Sequence, residues 1–128
     1  MLKVLIADDE EKICQLIIKL INWEEMGLKI AATASNGIEA LEQAKICKPE
    51  ILITDIRMPG IDGMELIRKV KEKLPDTEII IISGYRHFEY AQTAIRYGVR
   101  NYLLKPIKKE ELRDTLQKIA DIYREKNE

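Results

Sequence analysis

Four short apolar runs in this chain each end on a polar or charged side chain. The runs 2–7, 51–54, 79–82 and 102–104 lead into Asp8-Asp9, Asp55, Ser83 and Lys105, respectively. Short apolar runs without polar alternation are typical of parallel strands that are covered on both faces of a sheet. Because open α/β sheets bind ligands at the carboxyl ends of their strands, the pattern predicts three carboxylates, a hydroxyl and an ammonium at one edge.

Strand-like and helix-like segments alternate five times along the chain. The predicted strands cover residues 2–7, 28–33, 50–54, 78–82 and 101–104. Strict alternation implies right-handed crossovers and a parallel sheet with helices on both faces. We therefore predict an α/β fold with a five-stranded, doubly wound parallel sheet. Periodicity alone leaves the order of the strands open.

Apolar residues spaced three and four apart predict the buried faces of the five helices. These residues are Ile13, Leu16, Ile17, Leu20 and Ile21, then Ile38, Leu41 and Ala44, then Met64, Ile67, Val70 and Leu74, then Phe88, Ala91 and Ile95, and finally Leu112, Leu116, Ile119 and Tyr123. Asn36 is expected to cap the second helix, and Gly98 to end the fourth, which is predicted over 87–97. Residues 1–124 are expected to form one domain and 125–128 a polar tail.

The composition narrows the class of protein. A chain of 128 residues is long enough for one domain with its own core. Its net charge of −1 argues against nucleic-acid binding by the chain itself. No apolar run reaches membrane-spanning length, and the N-terminus leads directly into a strand, so we expect a cytoplasmic location. Cys14 and Cys47 lack metal-ligand spacing and are expected to be reduced, mostly buried thiols.

Carboxylates gathered at one sheet edge require a compensating charge. Two like charges about 4 Å apart repel by about 4 kcal/mol at an effective dielectric constant near 20. Oxygen ligands of this kind suit Mg²⁺, and Lys105 adds a compact positive charge. With Asp55 as the nucleophile, the set is chemically complete for forming an acyl phosphate, with charge stabilisation by Lys105 and Ser83.

Most of these residues also have an ordinary explanation when each is taken alone. Asp55 is harder to explain in this way, because it ends an apolar strand and is followed by the loop 56–62. Residues 8–11 resemble the acidic first turn of a helix, Lys105 a surface lysine, and Ser83 a turn residue. The predicted site would be wrong only if all of these explanations were correct at the same time.

The chain resembles bacterial response-regulator receiver domains over nearly its whole length. The matching residues are Asp8-Asp9, Asp55 within ILITDIRMPGIDG, Ser83-Gly84 and Lys105-Pro106. The resemblance implies the flavodoxin-like (βα)5 receiver fold with strand order 2-1-3-4-5. That order brings the ends of the first and third strands together.

The resemblance also implies the chemistry. Asp55 would accept a phosphoryl group from a sensor histidine kinase, and Lys105 and Ser83 would contact that group. Mg²⁺ would be held by the side chains of Asp8, Asp9 and Asp55 and by the main-chain carbonyl of Arg57. The peptide bond between Lys105 and Pro106 would be cis.

Other positions carry weaker expectations from the same resemblance. Ser83 and Tyr102 would form a switch pair, although Tyr102 equally fits a half-covered aromatic on an edge strand. Arg57 and Tyr85 would tune the lifetime of the acyl phosphate. His87 is expected to be exposed rather than to carry phosphate.

A narrower resemblance concerns WEEMG, residues 23–27, and residues 83–107. Both resemble receivers that are joined to an AraC-type DNA-binding domain. DNA would then be bound only through a C-terminal output domain that these 128 residues do not include, and the regulated output would be transcription. We favour an excised receiver, with a stand-alone receiver as the alternative. A candidate homodimer surface is formed by the fourth helix, fifth strand and fifth helix, and ordinary solvated faces are the alternative. Its residues are Tyr90, Arg96, Tyr97, Arg100, Lys108 and Lys109.

Three other functions fit the sequence less well. Aspartyl-phosphate phosphatases and mutases need a second acid two residues after the nucleophile, where this chain has Arg57. Nucleotide- or flavin-binding modules need a phosphate-binding loop, and this chain has acids after the first strand. The intact acidic set argues against a phosphate-independent interaction module. The sequence therefore predicts a phosphoacceptor switch that performs only self-phosphorylation and self-dephosphorylation and is not a turnover enzyme.

Overall fold

The structure, a computed structural model, describes residues 1–84 and 88–126. Its elements are β1 (Leu2–Ala7), α1 (Glu11–Leu20), β2 (Leu28–Ala34), α2 (Gly37–Cys47), β3 (Ile51–Thr54), α3 (Gly63–Lys73), β4 (Glu78–Ser83), α4 (Phe88–Arg96), β5 (Asn101–Leu104) and α5 (Lys109–Lys126). The five strands pair in parallel in the order β2-β1-β3-β4-β5. The predicted fold class and the strand order implied by the resemblance are both confirmed.

The sheet divides the core into two halves. Alternate residues of a strand point to opposite faces, so Ile53 packs with α1 and α5, whereas its neighbour Leu52 packs with α2, α3 and α4. Every residue of β3 and β4 is buried. These two strands are therefore covered on both faces, as the unbroken isoleucine run of β4 predicts.

The strand register aligns the ends at which the sequence places its polar residues. Ala7 of β1 pairs with Thr54 of β3, and Ser83 of β4 pairs with Leu104 of β5. The residues that follow Ala7, Thr54 and Leu104 therefore leave the sheet at the same edge.

Local signals set the ends of several helices. The Asn36 side chain accepts a hydrogen bond of 2.8 Å from the backbone N–H of Glu39, so Asn36 caps α2 as predicted. Asp62 caps α3 in the same way through Glu65, at 2.9 Å. Gly98 follows α4 with φ of 82°, a left-handed conformation that suits the residue after a helix.

Three residues predicted to lie on buried helix faces are exposed instead. Leu16, Ile38 and Ile95 are 40%, 53% and 69% exposed. In α2 and α4 the buried contacts are made by small residues, such as Ala40 and Ala94. Neighbouring residues point about 100° apart on a helix, so a face centred on Ala94 turns Ile95 toward solvent.

Some element ends also differ from the predictions. Helix α5 continues through Lys126, so residues 125 and 126, expected in the tail, are helical. Strands β2 and β4 are each one residue longer than predicted. Helix α4 ends at Arg96, and His87, its predicted first residue, lies outside the described residues. None of the helices within residues 1–84 and 88–126 combines the length and the hydropathy that a membrane-spanning segment requires.

Candidate functional site

Asp8 and Asp55 follow the neighbouring strands β1 and β3, and both are buried. The pairing of Ala7 with Thr54 places the two aspartates side by side. Their exposed fractions are 3% and 6%. Burying a carboxylate is costly unless it is paired or hydrogen-bonded, so the contacts of these two side chains define the site.

Lys105 is the partner that Asp8 and Asp55 share. Its Nζ lies 2.9 Å from Oδ2 of Asp55 and 3.2 Å from Oδ2 of Asp8. The backbone N–H of Lys105 donates to the carbonyl oxygen of Ser83 over 2.8 Å, which ties the end of β5 to the end of β4. The peptide bond between Lys105 and Pro106 is cis. Three strands thus converge on one ammonium group.

The main chain orients the Asp55 carboxylate. Its Oδ1 accepts a hydrogen bond of 2.6 Å from the backbone N–H of Ile56. The hydroxyl of Thr54 donates to the carbonyl oxygen of Asp55 at 2.9 Å. Since Oδ1 is held by the backbone, Oδ2 is the oxygen that faces Lys105.

Gly63 allows helix α3 to begin against Asp55. A Cβ atom at Gly63 would lie 2.0 Å from the carbonyl oxygen of Asp55 and 2.8 Å from the Cα of Ile56. Its backbone N–H donates to the carbonyl oxygen of Ile56 over 2.5 Å. Only a residue without a side chain fits this approach.

The site retains an excess of negative charge. Burial raises the pKa of Asp8, and the hydrogen bond from the Glu10 backbone and the charge of Lys105 lower it by less. Burial alone would lower the pKa of Lys105, but its contacts with Asp55 and Asp8 reverse this effect and raise it. Lys105 is therefore held in its charged form, and its single charge does not remove the cost of burying Asp8.

A group of acidic side chains beside Lys105 fits a hard cation. One carboxylate oxygen from each of Asp8, Asp9 and Glu10 lies within 4.8 Å of the others, with Asp8 buried and the other two exposed. An oxygen-only donor set of this kind matches the preference of Mg²⁺, which keeps several of its waters. The residues present therefore fit the implied ion.

This acidic group has Glu10 in the place that Asp55 takes among the expected carboxylate ligands. It includes Glu10, which the sequence alone places in an acidic first turn, and it does not include Asp55. Asp55 is joined to Asp8 through Lys105 instead. The run of acids from residue 8 to residue 11 was the available signal for Glu10.

Ser83 and Tyr102 lie together on β4 and β5. Ser83 is fully buried, and Tyr102 is half-buried opposite Ile81. Burial raises the pKa of Tyr102, partly offset by a hydrogen bond with the Ser83 side chain. The two hydroxyl groups are thus coupled next to the end of β4.

The remaining expected residues lie around this centre or beyond the described part of the chain. Arg57 is exposed two residues after Asp55. Tyr85 and His87 lie outside the described residues. Cys14 is buried, and its thiol lies 3.7 Å from the carbonyl oxygen of Asp8, whereas Cys47 is only partly buried.

Comparison with known proteins places these residues in a family. A family model described as the response regulator receiver domain matches residues 4–117. An uncharacterized transcriptional regulatory protein, YesN of Bacillus subtilis (strain 168), is 43% identical over 126 residues, which are 98% of this chain and 34% of that protein. Transcriptional regulatory protein HptR of Staphylococcus aureus (strain N315) is 38% identical over 94% of this chain and 47% of its own length. The chain therefore spans about a third to a half of these relatives.

Solved structures resemble the fold over almost the full chain. The REC domain of AraT, a response regulator from Geobacillus stearothermophilus, has a TM-score of 0.94 and 41% identity, covering 99% of this chain and 98% of its own. A two-component transcriptional regulator AraC from Clostridium phytofermentans has a TM-score of 0.87 and 36% identity, covering 94% of each chain.

The close contact at Gly63 leads to a prediction. Replacing Gly63 with Ala should lower the free energy of unfolding by about 1–3 kcal/mol, because the new methyl group would collide with the Asp55 backbone. Gly84→Ala is the matched control, since a Cβ there meets no atom of residues 1–84 and 88–126 within 4 Å. Urea denaturation measures both. Equal stability of the two variants would contradict this packing of α3 against Asp55.

Proposed function

The chain belongs to the response regulator receiver domain family, and on this premise we propose that it is a phosphorylation-dependent switch of a two-component system. Asp55 accepts a phosphoryl group, and the resulting change in charge regulates an output. The observation that carries the proposal is the contact of one ammonium, that of Lys105, with the buried carboxylates of both Asp55 and Asp8.

Asp55 acts as the nucleophile in this proposal. Its Oδ2 forms the new bond to phosphorus, and the bond from phosphorus to the donor's leaving group breaks with its electron pair. A carboxylate is already ionised at neutral pH, so no general base is needed. The backbone N–H of Ile56, bound to Oδ1, keeps the carboxylate oriented during attack.

Lys105 and Ser83 stabilise the transferred group. Lys105 already contacts Oδ2 of Asp55, so its charge lies where negative charge accumulates on the phosphoryl oxygens. The Ser83 side chain lies at the end of β4, next to the strand that leads to Lys105. Fixed charges of this kind supply most of the catalysis in phosphoryl transfer.

Asp8, Asp9 and Asp55, with the main-chain carbonyl of Arg57, would hold Mg²⁺. The bound ion would neutralise charge on the phosphoryl oxygens and offset the repulsion among the carboxylates. The grouping of Asp8 with Asp9 supports this set. Glu10, which lies in the same group, adds negative charge at its exposed side.

Ser83 and Tyr102 form the switch. Their hydrogen bond joins a fully buried hydroxyl at the end of β4 to a half-buried aromatic ring on β5. When Ser83 turns toward a phosphoryl group, this hydrogen bond must break or rearrange. A local change in charge thereby biases the position of Tyr102.

The partners follow from this role. A sensor histidine kinase donates the phosphoryl group, and α4, β5 and α5 offer a homodimer surface. Exposed Arg96, Arg100 and Ile95 on this side support the homodimer surface.

DNA is contacted only through an output domain outside these residues, and the chain performs no multiple turnover. Cys14 and Cys47 are free thiols, which suits the reducing cytoplasm.

Phosphorylation should be stoichiometric and confined to Asp55. Treating the protein with acetyl phosphate and Mg²⁺ should add one phosphoryl group, seen by intact-mass spectrometry, and Asp55→Asn should abolish the addition. Asp62→Asn is the matched control, because asparagine caps α3 as well as aspartate does. Labelling that persists in Asp55→Asn would refute the assignment of Asp55.

Mg²⁺ binding should separate the acidic residues by role. Asp9→Asn should weaken Mg²⁺ binding about tenfold or more. Replacing even a residue that only hydrogen-bonds a metal ligand typically lowers metal affinity by this amount. Glu10→Gln should weaken it less, because it removes only a nearby charge, and exposed Glu11→Gln serves as a control. Isothermal titration calorimetry measures the three affinities. A larger loss in Glu10→Gln than in Asp9→Asn would contradict the ligand set.

A further inference from the structure

The last turns of α5 form hydrogen bonds with the edge of the sheet opposite the acidic site. The hydroxyl of Tyr123 donates to the carbonyl oxygen of Glu50 at 3.1 Å and also contacts the carbonyl oxygen of Asp76. Burial, together with the nearby carboxylates of Glu78, Glu50 and Asp76, raises the pKa of Tyr123 to about 12. The hydroxyl therefore keeps its proton and remains a donor at neutral pH.

Arg124 makes a second attachment at the same end. Its Nη2 donates to the carbonyl oxygen of Met26 over 2.9 Å, a contact between residues 98 positions apart. A Cβ atom at Gly27 would lie 3.0 Å from this nitrogen, so the glycine leaves room for it. We call Tyr123 and Arg124, with the three carbonyls they contact, the C-terminal clasp.

The carbonyls bound by Tyr123 belong to turns that are themselves joined. The hydroxyl of Thr77 donates to the carbonyl oxygen of Pro49 over 2.7 Å. The backbone N–H of Glu78 donates to the carbonyl oxygen of Glu50 over 2.9 Å. The turn before β3 and the turn before β4 thus form one hydrogen-bonded unit with Tyr123.

The strands that leave this unit lead to the candidate site. Strand β3 ends next to Asp55, and β4 ends at Ser83. Every residue of both strands is buried. Because a closely packed interior has low compressibility and transmits strain, a displacement at one end of these short strands reaches the other.

The end of α5 is the segment whose stability would change when β3 and β4 are displaced. Beyond Ala120, residues 121 and 124–126 are exposed, and Ile122 and Tyr123 are only partly buried. Tyr123 packs against the buried core. A segment with few other apolar contacts has low local stability, so polar contacts such as those of the clasp matter most there.

We infer that the C-terminal clasp couples the site at Asp55 to the last turns of α5, so that occupation of the site stabilises residues 119–126. The inference rests on the proposed function. Tyr123 is a positioning residue in this scheme, because it acts through the turns before β3 and β4 and touches no reacting atom.

Hydrogen exchange measured by mass spectrometry tests the coupling, with beryllofluoride and Mg²⁺ as the probe for the phosphoryl group. In the free protein, Tyr123→Phe should speed exchange in 119–126 about fivefold, the factor expected for one lost hydrogen bond. Adding the probe should slow exchange there about fivefold in the unsubstituted protein and by much less in Tyr123→Phe. Thr93→Val, which removes a hydroxyl bonded to the carbonyl oxygen of Glu89 within α4, should behave like the unsubstituted protein.

Fluorine NMR of the same samples shows whether beryllofluoride is bound. Absence of a bound signal would contradict the proposed function, and the coupling with it. A bound signal with the same slowing at 119–126 in Tyr123→Phe would overturn the coupling alone. Unchanged exchange in free Tyr123→Phe would show that the hydroxyl does not hold the helix end, and would also overturn it.

Discussion

The contact of Lys105 with two buried aspartates is the interaction on which the site depends. Carboxylates held about 4 Å apart repel by about 4 kcal/mol at an effective dielectric constant near 20, and Asp8 and Asp55 are both buried. The ammonium of Lys105 makes this arrangement tolerable. It reaches both carboxylates because the backbone N–H of Lys105 is bonded to the carbonyl oxygen of Ser83. The end of β5 is thereby held beside β4, so the parallel register of the sheet is also the geometry of the site.

The sequence alone could predict that the site residues lie close together, because the end of each strand is visible in the sequence. Asp55 and Lys105 each follow a short apolar run, and parallel strands that begin at one edge end at the other. The order β2-β1-β3-β4-β5 had no such signal, since periodicity does not say which strands pair. That part of the fold came from the resemblance to receivers.

What local patterns missed depends on contacts between distant parts of the chain. Ile95 fits a helical stripe, but α4 buries Ala94, and the choice between adjacent positions is set by the surface on which the helix packs. Glu10 is an exception, because it adjoins Asp8 and Asp9 in the chain and the run of acids was a local signal for it. The extension of α5 to Lys126 is accompanied by contacts of Tyr123 with Glu50, 73 residues away, which no short window contains.

A double-mutant cycle on Lys105 and Asp55 tests the central interaction most directly. The free energy of unfolding is measured by urea denaturation without Mg²⁺ for the unsubstituted protein, Lys105→Met, Asp55→Asn and the double variant. Lys105→Met should lower the free energy of unfolding by at least about 1 kcal/mol more when Asp55 is present than in the Asp55→Asn background. With Asp55 present, the substitution leaves two unpaired carboxylates, those of Asp8 and Asp55, facing each other. An equal cost in both backgrounds would contradict the view that Lys105 holds the two aspartates together.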